Sequence, residues 1–108
     1  MSTPDLTPPA AVAAAAKKGL ELREKFGRGG TDVGVERAKG LAARKAVKPE
    51  DVTHISSYFA RHAVDKEAKS HDWGDENDPS AGYIAWLLWG GDAGQKWADG
   101  LKAKLADA

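Results

Sequence analysis

Apolar side chains recur along this chain at the 3.6-residue spacing of helices, and no stretch alternates as a half-buried strand would. The clearest stripe is Val52, Ile55, Ser56, Phe59 and Ala63, in a helix opened by Lys48-Pro49. Ahead of it, Val12, Ala15, Ala16, Gly19, Leu22 and Phe26 line one side of a first helix, expected from about Pro8 with Thr7 as its N-cap and Gly27 as its stop. A second helix is expected from Thr31 or Asp32 to about Lys45, carrying Val35, Ala38, Leu41 and Ala42 on one side. Asp78-Pro79 reads as the cap and first-turn proline of a fourth segment. Tyr83, Ile84, Trp86, Leu87, Leu88 and Trp89 make that segment apolar nearly all round, which places it at the centre. Gly90-Gly91 ends it. Asp92 with Gln95 three residues later resembles a capping box, opening a fifth helix that turns Trp97, Leu101 and Leu105 inward. The pattern predicts an all-α fold, a compact bundle of about five short helices around a Trp-rich central helix. Residues 1–7 read as a flexible tail, 8–108 as a single helical domain, and Asp65 to Asp78 as a long polar loop.

At 108 residues, 42% apolar and 30% charged, the composition is that of one ordinary globular domain. It has no cysteine, which excludes disulfides and thiolate metal sites and suits a reducing compartment. No apolar run is long enough to cross a membrane, so no membrane partner is expected. The Ala10 to Ala16 run has no basic segment before it, and reads as a helix start rather than a signal peptide.

Charge changes the picture more. The formal net charge of zero hides a strong asymmetry. Lys17 to Lys48 holds ten Lys or Arg against four Asp or Glu, a net of +6, whereas Pro49 to Asp92 holds three against nine, a net of −6. Either both halves are simply solvated, or the fold carries a basic face and an acidic face, suited to a polyanion or to other copies of itself.

The motifs point away from catalysis. Gly27 to Gly34 (GRGGTDVG) is dense in glycine, but it lacks the Gly-Lys-Ser/Thr ending of a phosphate loop and the strand that precedes one. It reads as a glycine turn or a generic anion contact. The second and third helices have helix-turn-helix proportions, and Arg28, Arg37, Lys39, Arg44, Lys45 and Lys48 could meet phosphates. Glu50 and Asp51 at the start of the third helix would repel DNA, so any nucleic-acid contact is expected to be weak. Asp72, Asp75, Glu76, Asn77 and Asp78 do not follow the calcium-loop pattern, and His54, His62 and His71 lack the spacing of a zinc pair. No metal, cofactor or catalytic set is expected. Trp86, Trp89 and Trp97 read as core. Trp73, isolated in the acidic loop, is either exposed or folded back as a lid. With Tyr58 and Arg28 it is a candidate contact residue, the alternatives being a core-edge position for Tyr58 and a solvated turn charge for Arg28.

Three stretches carry a resemblance. They are Gly19-Leu20-Glu21-Leu22-Arg23 leading into Gly27 to Gly34, then Ser57 to His62 with Val64-Asp65-Lys66, and above all Pro79 to Gly94 (PSAGYIAWLLWGGDAG). Between about Val12 and Ala98 the chain resembles a small domain of tailed-phage and prophage gene sets. There it stands alone or at the end of head-morphogenesis proteins, maturation proteases included, and the domain itself is mostly without an assigned activity. The resemblance implies a virion or host-cytoplasm setting and other phage structural proteins as partners. It transfers no protease residues. The leading expectation is therefore a non-catalytic phage structural or accessory protein that binds other head proteins. The alternatives are a nucleic-acid-binding protein using the Lys17–Lys48 region and an inhibitor of a host protein.

Overall fold

Each helix starts and stops for a local reason. In the computed structural model, which describes residues 5–67 and 73–106, the elements are α1 (Ala10–Phe26), α2 (Asp32–Ala42), α3 (Pro49–His62), a 3-10 turn (Ala63–Glu67), α4 (Ala81–Leu88) and α5 (Gly91–Ala106). No strand occurs among the described residues. The all-helical bundle predicted by the spacing is present, with α4 at its centre, touching every other helix.

Several boundaries differ from the sequence expectation. Helix α1 opens at Ala10 rather than Pro8, because a residue that precedes proline is held extended and Pro8 precedes Pro9. Thr7 does not cap it; the Thr7 N–H donates to Asp5 Oδ1 at 2.9 Å. Part of the expected tail, residues 1–4, lies outside the described residues, while the Leu6 carbonyl accepts the Val47 N–H at 3.0 Å. Helix α2 stops at Ala42, short of Lys45. Arg44 takes a left-handed backbone (φ 55°), so that its N–H reaches the Leu41 carbonyl and the Lys45 N–H reaches that of Gly40. An arginine there costs on the order of 1 kcal/mol, and its Nε donates to the Pro8 carbonyl at 2.8 Å in partial compensation.

Thr31 does cap α2, its hydroxyl accepting the Gly34 N–H. Asp51 Oδ2 accepts the Lys48 N–H at the start of α3. The cap of α4 is Ser80, which accepts the Tyr83 N–H at 3.0 Å, and not Asp78, whose carboxylate faces Arg28. Helix α5 opens two residues early, at Gly91 instead of Ala93, and Asp92 faces α4 instead of capping its own helix. The expected polar loop begins as the 3-10 turn; its residues 68–72, His71 and Asp72 among them, lie outside the described residues.

Two apolar clusters meet on α4. One is aliphatic: Val12, Ala16 and Leu22 of α1, Ala38 and Leu41 of α2, and Ile84, Leu87 and Leu88 of α4. The other is aromatic: Ile55, Tyr58 and Phe59 of α3, Trp86 of α4 and Ala98 of α5. Gly19 sets the spacing of the first, since a Cβ there would lie 2.8 Å from the Leu88 nitrogen. Of the tryptophans expected in the core, Trp86 is fully buried, whereas Trp89 and Trp97 are half-buried. Leu101 is buried as expected and Leu105 only partly.

Candidate binding cleft and its aromatic stack

Helices α3 and α4 meet the Gly30-Thr31 turn around an open cleft of about 450 Å³. Ala81, Ala85 and Trp89 recur every four residues on one face of α4 and form its floor; Arg61, His62 and Asp65 form the rim. The glycine segment is placed by packing. A Cβ on Gly29, where φ is +99°, would sit 2.5 Å from the Ile84 Cβ, and the Gly29 carbonyl accepts from Arg23 Nε at 2.9 Å. This is the glycine-turn reading of GRGGTDVG, with the start of α2 brought beside the start of α4.

The wall of the cleft is a column of flat groups. Tyr58 stacks on Trp89 with ring centroids 4.5 Å apart and planes 6° apart, and on His62 at 4.5 Å and 28°. Two rings so close cannot share one face, so the phenol lies between indole and imidazole. The Arg37 guanidinium covers Trp89 at 5.4 Å, and Asp51 Oδ1 accepts from Arg37 Nη2 at 3.3 Å. At the other end His62 Nδ1 and Asp65 Oδ2 are 3.1 Å apart. The order is carboxylate, guanidinium, indole, phenol, imidazole, carboxylate.

Tyr58 is 5% exposed, and its hydroxyl is buried with no hydrogen-bond partner among the described residues. Burial, reinforced by the negative charge of Asp65, pushes this phenol well above its ordinary pKa, so it stays protonated. Thr31, the other hydroxyl in the cleft, is engaged as the α2 cap. Among the described residues the His62–Asp65 pair thus faces no hydroxyl ready for activation. The arrangement offers an apolar floor of Ala81, Ala85 and the edge of Trp89, an arginine and two helix N-termini, which suit an apolar side chain beside an acidic group.

The contact candidates divide among different places. Tyr58 belongs to the aromatic core rather than to a free helix face. Arg28 faces Asp78 at 3.4 Å and covers Phe26 at 5.5 Å. Trp73 folds back, half-buried, edge-on to Trp86 and Tyr83. Of the residues considered for phosphate contact, Arg37 is held by Asp51, Lys39 by Glu36 and Arg44 by the Pro8 carbonyl, while Lys45 and Lys48 are exposed. The two charged halves also meet each other: Lys18 pairs with Glu76 at 3.0 Å, Arg28 with Asp78 and Arg37 with Asp51. The asymmetry along the sequence is therefore partly cancelled in space.

Arg61, Trp89 and the His62–Asp65 pair are cleft residues that sequence reasoning did not single out. The spacing of Tyr58, His62 and Asp65 at intervals of four and three was the available signal. Among the described residues no group of three or more His, Asp or Glu side chains is placed to hold a metal ion, and no helix is long and apolar enough to cross a membrane. Comparison with known proteins returns nothing similar: no family model, no curated protein and no solved structure matches this chain.

Proposed function

We propose that this chain is a non-catalytic docking module that holds a segment of another protein in the Trp89–Arg61 cleft, in a phage head-assembly setting. The cleft carries the docking part of the reading. It joins an apolar floor to a polar rim in a small helical domain, and its two hydroxyl groups among the described residues are buried or already engaged. The phage setting rests on the resemblance of Pro79 to Gly94. Arg61, exposed at the rim beside the starts of α2 and α4, would meet an acidic side chain of the partner, with Ala81, Ala85 and the edge of Trp89 as the apolar contact.

The test is co-expression with individual tailed-phage head proteins, followed by purification of defined pairs. One head protein is expected to co-purify, and Arg61→Glu and Trp89→Ala are expected to lose it while retaining helical circular dichroism. Pairing that survives both substitutions would remove the cleft from the account. Failure of every head protein to pair would remove the phage partner.

A further inference from the structure

On the other side of the aromatic cluster the chain binds one of its own ammonium groups. Lys66, in the 3-10 turn, sets its Nζ 4.5 Å from the Trp86 ring centre and 5.8 Å from that of Trp73. The two indoles stand almost at right angles, at 82° with centroids 5.6 Å apart. Asp92 Oδ1 accepts from Lys66 Nζ at 3.0 Å and from Trp86 Nε1 at 2.9 Å. Two perpendicular aromatic faces and one carboxylate make a seat whose every component favours an ammonium ion. Tyr83 packs edge-on against Trp73 at 5.2 Å and supports that wall.

The group in the seat is loosely held. The 3-10 turn that carries Lys66 has no buried residue, so polar and ring contacts rather than a core anchor hold it to the body. The Lys66 side chain is 36% exposed and that of Asp92 is 69% exposed, so the ammonium and the carboxylate meet solvent while Lys66 covers the otherwise buried Trp86 ring. Segments with so little apolar anchorage belong to the easily opened part of a fold. Trp86 and Asp92, in contrast, belong to α4 and α5, which are anchored in the core.

We propose that the Trp73–Trp86–Asp92 seat is a recognition site for a lysine side chain of a partner protein, which Lys66 fills in the free chain. The inference rests on the reading of the chain as a docking module, but the seat shares no residue with the cleft. The carboxylate accepts a hydrogen bond from the ammonium, so the seat selects a primary ammonium over a quaternary one, which has no N–H to donate.

The experiment titrates the full chain with three short acetylated peptides of one sequence, carrying lysine, trimethyllysine or norleucine, and follows tryptophan fluorescence. Lys66→Gln vacates the seat without shortening the turn's side chain much, and Lys66→Ala vacates it fully. Both are expected to bind the lysine peptide about tenfold more tightly than the unsubstituted chain does, the order of gain that removing one competing cation–π contact gives. Trimethyllysine should bind more weakly than lysine, and norleucine not measurably. Asp92→Asn keeps an oxygen for the Trp86 N–H but loses the charge; combined with Lys66→Gln it should abolish the lysine preference. Equal responses to lysine and norleucine in folded Lys66→Gln and Lys66→Ala would overturn the proposal and leave Lys66 a structural tie. Arg61→Glu should leave the lysine titration unchanged, so loss of the cleft and loss of the seat are read separately.

Discussion

The two sides of α4 are built from different chemistry. Toward α1 and α2 it presents Ile84, Leu87 and Leu88 to Val12, Ala16, Leu22, Ala38 and Leu41, a contact that closes tightly at Gly19 and holds no polar atom of its side chains. Toward α3 and α5 it presents Trp86 to Tyr58, Phe59, Ile55 and Ala98. Here the large rings bring polar handles into the interior. Trp86 Nε1 donates to Asp92, Ser56 Oγ donates to Asp99 Oδ1 at 2.6 Å, and the Tyr58 hydroxyl finds no partner among the described residues. An aliphatic contact can close on itself; an aromatic one brings N–H and O–H groups that need partners, which Trp86 finds at Asp92 and Tyr58 does not find among the described residues. Both the cleft and the ammonium seat lie on the aromatic side for this reason.

Truncation should separate the two sides most sharply. Trp86→Ala removes the largest fully buried side chain and also one wall of the Lys66 seat. Urea unfolding should show a loss of about 3–5 kcal/mol, at least as large as the loss of about 2–5 kcal/mol for Leu88→Ala on the aliphatic side. A smaller loss for Trp86→Ala than for Leu88→Ala would break the comparison.

Acid tests the polar handles. Burial works to raise the Asp92 carboxyl, but the hydrogen bonds from Lys66 and Trp86 and the charges of Lys66 and Lys96 outweigh it and hold its pKa below the ordinary 3.8. Burial likewise opposes the Lys48 backbone N–H and the Arg37 guanidinium at Asp51, whose pKa is again lowered. A carboxyl lowered in the folded state contributes stability in full above its unfolded value, and that stability is lost as pH falls through the folded value. The thermal midpoint is therefore expected to hold steady above about pH 4 and to fall below it, and Asp92→Asn should flatten part of that fall. A melting curve series identical for Asp92→Asn and the unsubstituted chain below pH 4 would separate Asp92 from the stability of this side.

The smallest expected effect sharpens the comparison most. Tyr58→Phe removes a buried hydroxyl without a partner while leaving both ring stacks intact. Stability should be unchanged or raised by up to about 1 kcal/mol, since nothing is left unpaired. A clear loss in urea unfolding would mean that the hydroxyl is satisfied in solution.

The aliphatic side was the more legible in sequence. Val12, Ala16, Leu22, Ala38 and Leu41 were all read from helical spacing, because a stripe with no polar duties obeys periodicity alone. Gly27 and Thr31 were read correctly as stop and cap, whereas Ser80, an equally usual cap, was missed because Asp78 before Pro79 offers the same signal two residues earlier. The stop at Arg44 uses an arginine in a backbone conformation that favours glycine, and nothing local in the sequence marks that. Asp92 looked like a cap by spacing, but its carboxylate serves Trp86 and Lys66 across the fold. The cleft was hidden for the same reason. Trp89, Tyr58 and Arg37 come from three helices, and their stacking is a tertiary fact with no trace in local spacing.

The ion pairs that join the two charged halves also govern how this molecule meets others. Lys18 with Glu76, Arg28 with Asp78 and Arg37 with Asp51 set opposite charges side by side, so the molecule's dipole is smaller than its linear order suggests. A smaller dipole gives less steering of diffusional encounter, and association then depends less on ionic strength than separate basic and acidic faces would make it. How quickly such a protein finds its partner is set by the abundance of the two, and how long it stays by the few rings and charges that close around the contact.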